Sequence, residues 1–304
     1  MTDPSPERRI ALFVNPLAGK GRALHWQGRV QEFLASHGIA YDLIGLNYPA
    51  NLIGFTDVII LGGDGTINRV LNHFPDIRLP VGVIPGGSGN DLAMQLNGSL
   101  DIQHCLETAV FGRTQWLDAG ICNGRIFMNC LGVGFDGEVA NEINRVRWFS
   151  GALKYYITVI RKIFRYRSIV MNALWDGGRY QARALTVMAA NSQYTGGGFR
   201  VAPGADMSDG KLDMVVIGEI SALQRLFYLP RIRKGNHIGL PFVQAARFTN
   251  MEIETGRPLQ AHVDGELMLS STYRIKILPG KFQCRVDRKG GHRNKVTGST
   301  ETRE

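Results

Sequence analysis

Short apolar runs that end in glycine recur along the first third of the chain. Residues 10–14, IALFV, break at Asn15 and Pro16 into a Gly/Lys/Arg loop, and a helical spacing of apolar positions then runs from Ala23 to Ser36. IAYDLIGL and TDVIILGG read as the second and third strands, the latter apolar enough to be buried on both faces. A helix from about Thr66 to His73 follows, and PVGVIPGG gives a fourth strand running into another glycine loop. Strand, loop and helix in succession predict a parallel α/β sheet with helices on both faces.

Beyond about Trp116 the rhythm changes. GRIFMNCLGVG, SIVMNALWD, RALTVMAANS, KLDMVVIGEI, FTNMEIET, LQAHVDGEL and YRIKILP are short strands separated by turn residues, interrupted by one helical pattern from about Gly137 to Tyr166. This half predicts a β-sandwich or open barrel. The expected layout is an α/β domain over residues 1–117, a β-rich domain over 118–290 whose last strand is free to return to the first, and a basic, disordered tail over 291–304. A ligand site belongs in the cleft between the halves.

Length and composition narrow the field. With 304 residues, 44% hydrophobic, 20% charged and 9% aromatic, the chain is long enough for two globular domains. The polar start MTDPSPERR lacks a secretory core and no apolar run approaches a membrane span, so a cytoplasmic, non-spanning protein is expected. Four cysteines without C-x-x-C spacing read as reduced packing residues. A net charge of +9 favours an anionic partner: nucleic acid, an acidic lipid surface or a phosphorylated ligand.

Three predicted strand ends carry glycine turns: NPLAGKG, GGDGT and PGGSGND. Glycine lets main-chain N–H groups face inward, and an adjoining helix start adds positive potential, so three such loops on one sheet edge suit a polyphosphate. A Walker A pattern is absent. Asp64 amid phosphates would repel them unless a cation intervenes, which implies Mg²⁺; a helix cap or Asx-turn is the plain alternative. GVGFDG, from Gly132 to Gly137, fits G-x-G-x-x-G, but a basic, aromatic helical stretch follows it in place of a strand ending in an acid, so a dinucleotide role is weakly supported.

Taken together, VNPLAGKG, GGDGTINRV, PGGSGNDLA, TGGGFRVAPGADMSDGKLDMVVI and AHVDGE resemble the ordered signatures of the diacylglycerol kinase catalytic family, which includes sphingosine kinases and bacterial soluble lipid kinases. The resemblance implies an NAD-kinase-like nucleotide-binding domain, a β-sandwich-like second domain, and the cofactors ATP and Mg²⁺. Asn15, Gly62, Gly63, Asp64, Gly65, Thr66, Asn68, Gly87, Ser88 and Asp91 would surround ATP, with Asp64 toward its magnesium. Asp91 and Asp118 match acids of a polar network around the catalytic metal. Asp209, with backbone groups near Asp206 and Lys211, matches a separate structural Mg²⁺ site, although an ordinary D-G turn explains that stretch equally well. Asp264 and Glu266 match the catalytic acids, Glu266 being the general base; His262 reads as a packed strand residue. Arg69 departs from the family, which usually has an acid there. The segment NYPANLIGFT is too short for the helix relatives carry, so altered nucleotide preference or a weakly active nucleotide or lipid sensor is an alternative.

The stretch from Arg145 to Arg167 mixes basic and aromatic residues, and FYLPRIRKGNHI does so again. Both suit a helix resting on anionic lipid, and both also suit an ordinary domain helix. The expected activity is transfer of phosphate from ATP to a lipid hydroxyl, diacylglycerol first, with sphingosine-type lipids, other lipids or NAD as alternatives. The expected partner is lipid at a membrane surface, with peripheral contact; a homodimer is left open, and nucleic acid is disfavoured for want of a recognition motif.

Overall fold

The computed structural model describes residues 7–145 and 152–288; the tail expected to be disordered and residues 146–151 of the basic stretch lie outside them. In the amino-terminal lobe, β1 (Arg9–Val14), β2 (Ala40–Ile44), β3 (Asp57–Gly62) and β4 (Val81–Pro85) form a parallel sheet in the order β2-β1-β3-β4. The apolar runs are continuous because both faces are covered. Ile10, Leu12 and Val14 of β1 enter a cluster with α1 (Arg22–Ser36) and α4 (Ile102–Phe111), while Ala11 and Phe13 enter another with α2 (Asp64–His73) and α3 (Asp91–Asn97). Residues 45–56 form no helix. Their Tyr48, Leu52 and Phe55 instead lie against the second cluster, with the Tyr48 ring edge-on to Phe13 at 5.2 Å.

The carboxyl-terminal lobe is made of β5 (Arg113–Cys122), β6 (Arg125–Phe127), β7 (Cys130–Gly134), β8 (Ile169–Trp175), β9 (Gly178–Ala190), β10 (Leu212–Gly218), β11 (Val243–Phe248), β12 (Asn250–Val263) and β13 (Glu266–Val286). Its interior holds Leu131, Val133, Met214, Ile253 and Tyr273. On the opposite side of β9 and β10, α5 (Phe135–Arg145), α6 (Ala152–Arg165) and α7 (Ala222–Lys234) cover Leu185, Met188, Val215 and Ile217. The single helical pattern expected from Gly137 to Tyr166 is thus two helices.

β13 belongs to both lobes. Its first half pairs with β12, its second with β5, and Cys284 meets Val81 of β4 in parallel. β12 and β13 each bend where the ladder slips, at Arg257-Pro258 and Pro279-Gly280, where a missing N–H does no harm. Residue 117, the expected division, falls inside β5, which pairs with β13 on both sides of that point.

Asp118 fastens this junction. Its two carboxylate oxygens accept N–H bonds from Gly210 and Gly280, each at 2.7 Å, and its own N–H reaches Met207 O.

Candidate active site

The three glycine loops converge because they touch. A Cβ on Gly63 would lie 2.8 Å from the Gly87 Cα, and one on Gly19 would lie 2.3 Å from the Gly86 carbonyl oxygen. Gly19, Lys20 and Gly21 all have positive φ, so the GKG turn curls back on the sheet edge. Asn15 Nδ2 donates to Thr66 Oγ1 at 3.1 Å, and Gly62, lying behind the loop, has Thr66 packed where its Cβ would be. Arg22 donates to Gly87 O, and Asn90, itself left-handed, closes its loop through bonds to both Gly87 N and Gly87 O.

Asp64 does the work of a cap, though not for its own helix. Its oxygens accept the N–H groups of Asp91 and Leu92 at the start of α3, and Asn129 Nδ2 reaches Oδ1 at 3.3 Å. A carboxylate has about four acceptor sites, so Asp64 retains one facing the cavity. Asp91 in turn accepts N–H bonds from Gly197 and Gly198 at 2.9 and 2.8 Å and so clasps the second lobe to the first. Burial, then the charge of Asp64, push the Asp91 carboxyl up to about 7 against those donors.

The VDGE turn joins β12 to β13. Asp264, left-handed at φ 50°, accepts N–H bonds from Met128, Asn129 and Cys130 and an amide bond from Asn68. Burial pushes it up to about 6 against these donors. With its acceptor sites filled, Asp264 holds the turn in place, a structural part beside the catalytic one expected of it. Asn68 is likewise turned away from the nucleotide loops, toward Asp264 and Ile126 O. Glu266 is exposed, and its Oε1 lies 3.5 Å from where a Cβ on Gly65 would be.

One cavity of about 810 Å³ connects these parts. Asn15, Lys20, Gly63, Asp64, Gly65, Thr66, Arg69, Gly87, Ser88, Gly89, Asp91, Asp264 and Glu266 line its polar end. Val139, Ile143, Val159, Ile163, Leu229 and Ile232 line its other end, beneath α5, α6 and α7. The polar end fits a nucleoside triphosphate with its divalent cation: the cradle is closed to side chains at its glycines, and Mg²⁺ commonly takes one or two carboxylates and leaves the rest of its shell to phosphate and water.

The residues expected to form a separate metal site are elsewhere. Asp206 Oδ1 accepts from the Ser208 N–H and hydroxyl, and Asp209 Oδ1 accepts the Lys211 N–H. The other oxygen of Asp209 pairs with Arg247 at 3.3 Å; Arg247 also donates to Gly204 O and approaches Asp213 at 3.8 Å. A guanidinium already occupies the place of a cation, so this turn does not fit Mg²⁺. Asp118, expected near the catalytic metal, is committed to Gly210 and Gly280 outside the cavity. Among the described residues no group of three or more His, Cys, Asp or Glu side chains is placed to hold a metal ion.

Asn129, Asp136 and Arg225 also line the cavity and were not singled out from the sequence. Asn129 lies in MNCLG, where nothing marks it as a partner of an acid 65 positions earlier.

The amino-terminal part of this chain, residues 9–122, matches the diacylglycerol kinase catalytic domain, and residues 129–286 match the YegS C-terminal NAD kinase beta sandwich-like domain. A diacylglycerol kinase of Mycobacterium tuberculosis is 28% identical over 298 residues, covering 93% of this chain and 96% of the relative. One of Bacillus subtilis is 27% identical over 237 residues, covering 77% and 76%. The crystal structure of a diacylglycerol kinase from Bacillus anthracis is similar in fold, with a TM-score of 0.74 at 23% identity over 93% of this chain and 98% of that one.

Proposed function

Because the chain belongs to the diacylglycerol kinase catalytic family and is a lipid kinase, we propose that it transfers the γ-phosphate of Mg·ATP to the hydroxyl of diacylglycerol, giving phosphatidic acid and ADP. One observation carries this reading: a single cavity joins the glycine loops, Asp64 and Glu266 to an apolar compartment lined by Val139, Ile163 and Leu229. Loop N–H groups and Lys20 would hold the phosphates. Asp64, oriented by Asn129 and by the start of α3, would hold the magnesium, which neutralises phosphate charge when bound.

Glu266 is the proton acceptor in this scheme. The lipid oxygen bonds to the γ-phosphorus as the bond to the β–γ bridging oxygen breaks, the hydroxyl proton passes to Glu266, and ADP leaves. A lipid hydroxyl is a far weaker acid than a carboxyl of pKa about 4.3, so the proton moves late. A loose transition state permits this, because positioning and charge neutralisation supply most of the rate.

Contact with a membrane surface is part of the proposal. α7 turns Leu229 and Ile232 inward yet leaves Leu223 at 73% and Phe227 at 67% exposure, and α6 exposes Ile160 and Phe164 beside Arg161 and Arg165. Apolar side chains flanked by cations suit an anionic bilayer. No helix among the described residues is long and apolar enough to cross a membrane.

Purified protein with Mg·ATP and mixed micelles of candidate lipids tests the reading, with NAD as a parallel acceptor. Phosphatidic acid is the expected product. Glu266→Gln is expected to lower kcat on the order of 100-fold, the usual scale of a lost general base. Phosphorylation of NAD in place of lipid, or binding of ATP without turnover on any lipid, would replace this reading with one of its alternatives.

A further inference from the structure

The GVGFDG segment, left without a role by the nucleotide loops, shapes the middle of the cavity. Gly134 has φ +101° and lies close to Leu185 O, and a Cβ on Gly137 would lie 2.2 Å from Gln260 O, so these two glycines let α5 settle on the strands below it. Gly132 is different. A Cβ there would lie 2.7 Å from His262 Nε2 and 3.1 Å from Asp136 Oδ2, so only glycine fits, and one imidazole and one carboxyl group close together over its backbone.

Both groups line the cavity, His262 two residues before Asp264 of its polar end and Asp136 one helical turn before Val139 of its apolar end. Asp136, in the first turn of α5, accepts a bond from Thr186 Oγ1 at 3.0 Å. Thr186 and Leu185 both reach this cavity because β9 carries an extra residue there: Ile217 of β10 pairs with Thr186 and Gly218 with Ala184. Asp136 has no cationic partner among the described residues. Burial pushes its carboxyl up to about 6, which still leaves it ionised at pH 8. His262 Nδ1 accepts the Gly265 N–H at 3.4 Å, which assigns the ring hydrogen to Nε2, and burial pushes the ring down to about 4, so it stays neutral. Its Nε2–H has no protein acceptor among the described residues.

We propose that Asp136 and His262 form a filter where the polar and apolar linings of the cavity meet, admitting an uncharged acceptor lipid whose ester carbonyl accepts the His262 Nε2–H and turning away a lipid with an anionic headgroup. The inference rests on the lipid-kinase reading and names the acceptor class for that site. An enclosed, uncompensated carboxylate repels phosphate-bearing lipid strongly because little water screens it. An ester carbonyl gives the imidazole the acceptor that it lacks.

The test uses the full-length protein and two short-chain probes, dioctanoylglycerol and dioctanoyl phosphatidylglycerol. Their binding is measured first by thermal shift without nucleotide, and their phosphorylation with Mg·ATP second. The wild type is expected to bind and phosphorylate the neutral lipid in preference to the anionic one. Asp136→Asn should raise the anionic-to-neutral ratio about tenfold, since selectivity is a difference of affinities, with Asp136→Ser as the second variant if the amide does not fold. His262→Phe should raise KM for dioctanoylglycerol and leave KM for ATP unchanged, and His262→Gln, which keeps a donor, should restore it. Equal handling of both lipids by the wild type, or an unchanged ratio in folded Asp136 variants, overturns the filter. Selective lipid binding without phosphate transfer would leave the filter standing and remove the kinase reading; phosphate transfer to both lipids alike would do the reverse.

Discussion

Gly63 and Gly87 meet backbone to backbone: a methyl group on Gly87 would sit 2.4 Å from the Gly63 Cα. No rotamer relieves that contact, because the obstacle is main chain. Gly87→Ala is therefore expected to part the two loops, raise KM for ATP and cost about 1–3 kcal/mol in urea unfolding, the scale of overpacking. Gly28→Ala in α1, where a methyl group meets open space, should instead stabilise by up to about 1 kcal/mol. An unchanged KM in Gly87→Ala would show that the loops do not share one ligand.

Asp91 links nucleotide binding to pH. Buried beside Asp64 and raised to about 7, it is protonated in the free protein below that pH. A divalent cation arriving with ATP favours the ionised form, so affinity for Mg·ATP should rise between about pH 6 and pH 8 with release of protons. Calorimetric titration in two buffers of different ionisation enthalpy measures this directly. Affinity flat across that range, with no proton release, would mean that Asp91 does not sense the cation.

Asp136 carries a cost in stability whose sign follows from its raised pKa of about 6. Between about pH 4 and pH 6 the folded protein holds a proton that the unfolded chain lacks, so the cost is complete above pH 6 and vanishes as pH falls toward 4. Asp136→Asn should be more stable than the wild type by about 2 kcal/mol at pH 8, with the advantage fading at pH 5. Urea denaturation at the two pH values reads it, and a pH-independent difference would point to packing instead.

Arg247 makes a prediction about metal removal. Because its guanidinium already meets Asp209 and Gly204 O, chelation by EDTA should leave Tm unchanged. Arg247→Met should cost under about 1 kcal/mol, as exposed ion pairs do, and should make Tm rise on adding Mg²⁺. A fall in the wild-type Tm with EDTA would put a metal back into that turn.

The four parallel strands of the first lobe were readable because each apolar run ends in a turn signal. Helix α7 was not. Its apolar residues Leu223 and Phe227 face outward, and Pro230 lies inside it, so the helical period is blurred; the capping box of Ser221 with Gln224 was the legible sign. The glycines of the site could be read from their loops, since close approach needs glycine whatever the partner. The part played by each acid could not. Asp64, Asp91, Asp118 and Asp264 all bond main-chain N–H groups from distant segments, and only the fold says which of them keeps a free oxygen toward the cavity.

The shared strand β13 has a consequence for biosynthesis. Phe282, Cys284 and Val286 sit in the same cluster as Phe13 and Ile60, so the first lobe lacks part of its core until residue 286 has emerged from the ribosome. The nucleotide half cannot mature ahead of the lipid half, and a chain released early would expose an unfinished apolar face to chaperones and proteases.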